Sequence, residues 1–165
     1  MPHDLYDTRK IPKIPQLDFG DKDTATLSIP TPDLPEFFAK LREASKGNEN
    51  NWNLRFEAKR IPEKVNRGMD MIMVNKAKEE PDKVLMHLEG DVQKDGISAT
   101  YSADLFSDMI QALAGNQRFR KGKGIQDGLL IQMKSDYPVR VAFTGEDNRG
   151  EPVGYTGLLA PRTDG

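Results

Sequence analysis

The chain has 165 residues, room for one domain with appendages, and sets 24 basic against 26 acidic side chains for a formal net charge of -2. That balance excludes a uniformly basic nucleic-acid coat and a strongly acidic tail. The absence of cysteine excludes disulfides, zinc-cysteine sites, iron-sulfur clusters and thiol nucleophiles together.

Residues 1–23 hold Pro2, Pro12 and Pro15, which prevent a helix and favour an extended path. Ile11, Ile14, Leu17 and Phe19 are too apolar for a freely solvated arm, so the segment is expected to lie across the surface of a domain spanning residues 24–165. Thr26–Ile29 reads as a short strand ended by Pro30 and Pro32. A helix is predicted over 33–46, with Asp33 and Glu36 as a capping box and Leu34, Phe37, Phe38, Leu41 and Ala44 on one apolar face. Residues 53–59 alternate as a half-buried strand does, with Leu54, Phe56 and Ala58 on one side. Further strands are predicted at 69–74, 84–88 and 97–101. A second helix is predicted over 102–114, with Ser102 as N-cap and Gly115 as its stop. A basic, glycine-punctuated loop follows, and then strands at 129–134, 139–143 and 155–159 that suit a meander. The order is strand, helix and several strands, twice over. Helices apolar on one side only pack on one face of a sheet, so the class is α+β: a β-α-β-β-β plan repeated, with two helices on one face of antiparallel sheets.

The chemistry-bearing motifs are few. His87-Leu88-Glu89 matches the H-x-E of zinc deaminases, but that chemistry needs a later cysteine pair; a surface-facing strand histidine is the plainer reading. There is no Walker loop, no G-x-G-x-x-G after a strand and no G-x-S-x-G. Asp18, Asp21 and Asp23 lack the EF-hand pattern. No catalytic residue, metal site or cofactor is expected, and the chain reads as non-enzymatic. The absence of any apolar run near the ~18 residues of a membrane span, and of an apolar leader in MPHDLYDTRK, points to a soluble intracellular protein with no membrane partner. Two cationic groups stand out. Arg118, Arg120, Lys121 and Lys123 surround Phe119, a composition that suits either phosphate neutralisation with base stacking or a solvated loop. Lys40, Arg42 and Lys46 on the first helix are diluted by Glu36 and Glu43, and on composition alone they describe a solvated helix face.

A resemblance sharpens this. Ser135, Tyr137, Pro138 and Val139, followed by Leu158-Leu159-Ala160-Pro161-Arg162, resemble the end of sliding clamps of the proliferating cell nuclear antigen family, especially archaeal members. The run from Ala99 to Phe106 resembles that family's strand-to-helix entry. Leu5-Tyr6-Asp7, Ile14-Pro15 and Leu17-Asp18-Phe19 resemble its interdomain connecting loop, and TLSIPTPDLPEFFAKL the first strand and helix of its second domain. The likeness covers roughly residues 5–162 and is poor over 47–95. The family's first domain has no counterpart in these residues, so the chain resembles the connector and C-terminal half of a clamp subunit.

The resemblance implies a DNA polymerase processivity factor whose helices face double-stranded DNA without reading sequence, inside an assembled ring. Lys40, Arg42 and Lys46 then become candidate inner-surface cations, with Arg118, Arg120, Lys121 and Lys123 beside the second helix. It also implies a hydrophobic pocket for client peptides, with Ile14, Pro15, Leu17 and Phe19 as the loop wall and Pro138, Leu158, Ala160 and Pro161 as floor and tail. The expected partners are DNA, client proteins with clamp-binding peptides, and either a separate first clamp domain or a full-length clamp subunit. The expected location is the cytoplasm with the nucleoid in an archaeon, or a eukaryotic nucleus. The alternative is a regulatory interaction protein that caps or competes with a full clamp.

Overall fold

The computed structural model describes residues 18–20, 23–45, 52–58, 68–75, 81–94, 96–114, 126–146 and 149–162. Among them are β1 (Ala25–Ile29), α1 (Leu34–Ser45), β2 (Trp52–Ala58), β3 (Gly68–Asn75), β4 (Lys83–Val92), β5 (Ser98–Ser102), α2 (Ala103–Ala114), β6 (Gln126–Met133), β7 (Val139–Glu146) and β8 (Pro152–Leu159). The strands form one curled antiparallel sheet in the order β5-β2-β3-β4-β1-β6-β7-β8. Strands such as β1 and β7 alternate, β3 and β4 break the alternation where their register shifts at Met71/Ile72, and the inward side chains join a single core with both helices, so the helices lie on the same side of the sheet. The class is α+β.

The helices form where apolar residues recur at helical spacing. α1 buries Leu34, Phe37, Leu41 and Ala44, and α2 buries Ala103, Phe106 and Ile110. Each large apolar side chain withdrawn from water this way contributes ~1.5–3 kcal/mol. Phe106 joins Phe56 and Tyr101 in an aromatic cluster with ring centroids 5.4 to 6.4 Å apart, which fixes α2 over β2 and β5. Ser102 caps α2 as its sequence suggests, its Oγ accepting the Leu105 N–H at 3.3 Å. The entry to α1 differs from the predicted capping box. A short 3-10 turn, Thr31–Asp33, leads into it, closed by the Asp33 N–H on the Pro30 carbonyl at 2.9 Å. Asp33 therefore sits inside a turn already wound, not in the extended conformation an N-cap needs. The prolines at 30 and 32 impose that turn.

β4 is longer than the predicted 84–88 strand, because it serves two neighbours. Lys83–Glu89 pair with β3, and Gly90–Val92 with β1. The crossing is possible because position 90 is glycine: a Cβ there would stand 2.2 Å from the Thr26 carbonyl oxygen. β6 also begins earlier than the predicted 129. Its first residues bend through Gly128 at φ 78, where the register with β7 shifts. The segment after the last strand reaches back to the first strand of the sheet order, the Arg162 N–H donating to the Thr100 carbonyl on β5 at 2.8 Å. Of the predicted connector, only residues 18–20 and 23 are described; the predicted helix stop at Gly115 and the basic loop lie outside the described residues.

Candidate functional site

The β6–β7 turn gathers more long-range contacts than its length suggests. Asp136 takes a left-handed conformation, φ 52, that aspartate tolerates better than most residues. The turn presents Tyr137, which is bound on four sides. Its hydroxyl accepts the Asp18 N–H at 3.1 Å. Its ring meets Phe19 edge to face at 5.7 Å and 81°. The Lys134 ammonium stands 4.9 Å from its ring centroid. Its carbonyl accepts the Tyr101 hydroxyl at 2.6 Å. Close by, Ser135 Oγ accepts the Ser98 N–H at 3.2 Å. Tyr101 is fully buried, and burial, then the negative charge of Asp136, push its hydroxyl pKa well above the ordinary tyrosine value. The phenol therefore stays protonated and donating.

Three pieces of chain converge here: the segment before β1, the turn, and the residues after β8. Val139 pairs with Leu159 and Arg140 with Leu158, so Pro138 and Ala160 flank the end of the β7–β8 ladder. Five of the eight residues expected to line a peptide pocket are described, and they fall at this corner. Phe19, Pro138, Leu158 and Pro161 are half-buried and Ala160 is exposed. Ile14, Pro15 and Leu17 lie outside the described residues. A half-buried apolar group at the junction of three segments can seat an aliphatic or aromatic anchor and exclude water from it.

The expected cations divide differently. Lys40 lies 3.8 Å from Glu43, which also pairs with Lys83. Arg42 is exposed. Lys46, Arg118, Arg120, Lys121 and Lys123 lie outside the described residues. On the described parts of α1 and α2, two cations, Lys40 and Arg42, face four carboxylates: Glu36, Glu43, Asp104 and Asp108. His87 points outward from β4, its Nδ1 2.9 Å from Asp70 Oδ1. Among the described residues no three His, Asp or Glu side chains come together as a metal ion needs, and no helix is long and apolar enough to cross a membrane.

Sequence reasoning did not single out Tyr137, Lys134 or Tyr101 as site residues. An aromatic between Asp136 and Pro138 at a hairpin tip is one available signal, since a large ring on a turn gains by packing against a neighbouring segment. Tyr101 carries no such signal, because its role depends on the fold bringing β5 beside the turn. No model of a known protein family matches the chain, and neither a curated protein nor a solved structure does.

Proposed function

We propose that this chain is the connector and C-terminal half of a DNA sliding clamp, a non-enzymatic module that docks client proteins through a short peptide. The carrying observation is the corner around Tyr137, where the segment before β1, the β6–β7 turn and the residues after β8 meet around Phe19, Pro138, Leu158, Ala160 and Pro161. The resemblance puts a peptide pocket between the connecting loop, the C-terminal tail and the sheet beneath, with Pro138, Leu158, Ala160 and Pro161 as floor and tail. The element order supports the reading as well: strand, helix and three strands, twice over, with both helices on one side of the sheet. Calorimetric titration with a clamp-binding peptide tests it. Binding that Pro161→Glu weakens at least tenfold is expected from burying a charge in an apolar seat; absence of binding in the unaltered chain refutes the docking role.

One observation favours the second reading, a protein that caps or competes with a full clamp. The described helix surface carries more carboxylates than cations, the reverse of what phosphate contact asks. Mixing with a full-length clamp and DNA separates the two. Assemblies that load onto DNA, in a salt-sensitive way that Lys40→Glu with Arg42→Glu weakens, mark a clamp component. Blocked loading marks an inhibitor.

A further inference from the structure

Charge is distributed unevenly over the outer face of the sheet, although both halves expose an apolar side chain, Val84 on β4 and Leu130 on β6. Over β5, β2, β3 and β4, the outward residues Glu57, Asp70 and His87 lie side by side, and Arg55 beside them is held by Glu57 at 3.1 Å and Asp82 at 2.8 Å. Cations and carboxylates satisfy each other there. Over β1, β6, β7 and β8, one outward row reads Thr26, Gln132, Arg140, Leu158 and the next Ser28, Leu130, Ala142, Thr156. The single charge in these rows is the Arg140 guanidinium. It is exposed, and its hydrogen-bond partner is the neutral Gln132 Oε1 at 3.3 Å.

Apolar surface lies on both sides of this cation. Leu158 stands directly across from Arg140 and leads to Pro138, Ala160 and Pro161 at the corner. In the other direction a shallow depression of about 370 Å³ opens over Leu130, Ala142, Gly154 and Thr156, with Leu130 37% exposed. An arginine fork on an uncharged, partly apolar surface is a strong receptor for a carboxylate, because two parallel N–H donors match its two oxygens, and among the described residues no carboxylate pairs with Arg140.

We infer that this half-face binds an extended peptide in which a carboxylate side chain adjoins the apolar anchor, and that Arg140 receives the carboxylate. The inference rests on the reading that the corner docks a peptide, and adds what selects that peptide. The anchor sits at Leu158 and Pro161. The chain runs up the face past Arg140, and its far end covers Leu130 in the depression. A basic peptide meets an unpaired like charge and is rejected.

The test uses the full chain and two synthetic peptides, each with one leucine and two adjacent phenylalanines, one followed by two aspartates and the other by two asparagines. Calorimetry at low salt is expected to give about threefold to fivefold tighter binding of the aspartate peptide, the range of an exposed charge pair. The ratio falls toward one at about 0.5 M salt, where such pairs are screened. Arg140→Gln brings the ratio to about one, and Arg140→Lys keeps part of it; an unchanged thermal unfolding midpoint shows that both variants are folded. Equal binding of the two peptides by the unaltered chain, or a ratio that survives Arg140→Gln, overturns the role of Arg140 while leaving the corner as a docking site. Failure of both peptides to bind overturns the inference together with the docking reading.

Discussion

Replacing Tyr101 with phenylalanine isolates the bond that ties β5 to the Tyr137 turn. The ring stays, so the contacts with Phe56 and Phe106 persist; only the hydroxyl, 2.6 Å from the Tyr137 carbonyl, is removed. A net hydrogen bond is worth about 1 kcal/mol, and leaving its acceptor without a partner adds to the loss. Tyr137 is half-buried, so water reaches the freed carbonyl in part, and the expected cost is ~1–2 kcal/mol in urea unfolding at neutral pH. The difference between the two proteins also has a set pH dependence. In the folded state Tyr101 keeps its proton well above the ordinary value, whereas in the unfolded chain a tyrosine titrates near ~10. A group whose pKa rises on folding contributes stability that is complete below the unfolded value and lost as pH climbs above it. The phenylalanine variant lacks that group. The gap between the proteins therefore stays constant up to about pH 9 and closes above pH ~10, at up to ~1.4 kcal/mol per pH unit. A gap that is absent at neutral pH, or that stays flat through pH ~11, refutes the picture of a buried, donating Tyr101.

Four other substitutions probe the frame of the sheet and helices. Gly128→Ala places a Cβ 1.9 Å from the Ile29 carbonyl oxygen at φ 78 and is expected to cost at least ~2 kcal/mol in chemical unfolding, while Gly154→Ala, with nothing within 4 Å of the added atom, stays within about 0.5 kcal/mol. Ser102→Ala removes the cap of α2 and is expected to lower stability by about 1 kcal/mol in chemical unfolding. Asn53 is fully buried with neither end of its amide hydrogen-bonded, so Asn53→Leu is expected to be neutral or stabilising; a loss above ~1 kcal/mol would mean the amide has a structural partner.

Periodicity made the elements legible because each buries one side only. Leu54, Phe56 and Ala58 alternate on β2, and Leu34, Phe37 and Leu41 repeat on α1, so both the elements and their inner faces were readable without coordinates. What was not readable depends on pairs distant in the chain. The extension of β4 past Leu88 follows from Gly90 meeting Thr26, 64 positions earlier, and local propensity says nothing of that. The capping box at Asp33 and Glu36 was a sound local pattern overruled by another, the prolines that wind a 3-10 turn first. At the corner, the apolar residues Phe19, Pro138, Leu158 and Pro161 were visible as members of a resemblance. The polar bonds that hold them, from Tyr101, Ser98 and Arg162, join residues 36, 37 and 62 positions apart and belong to the tertiary structure alone.

Those same bonds determine what the corner can do to the rest of the molecule. In the sheet order, β1 lies with β6, β7 and β8, while β5 lies with β2, β3 and β4. One strand of each half-sheet is thus paired away from its chain neighbours: β1 lies against β6, and β5 against β2. β5 is an outer strand of the sheet, and its far edge reaches the opposite end through three contacts: Ser98 to Ser135, Tyr101 to Tyr137, and Thr100 to Arg162. All three run to the turn and tail that form the corner. The contacts that close the curled sheet are therefore the ones that hold the proposed docking surface together. A partner seated against Phe19, Pro138 and Pro161 holds the turn and tail in the arrangement that keeps β5 stitched down. By linkage its binding stabilises the entire sheet, by an amount that grows with the logarithm of its concentration over Kd. If the proposed docking holds, the coupling also runs backwards: loosening β5 at Ser98 or Tyr101 is expected to weaken peptide binding by releasing the turn that carries Tyr137.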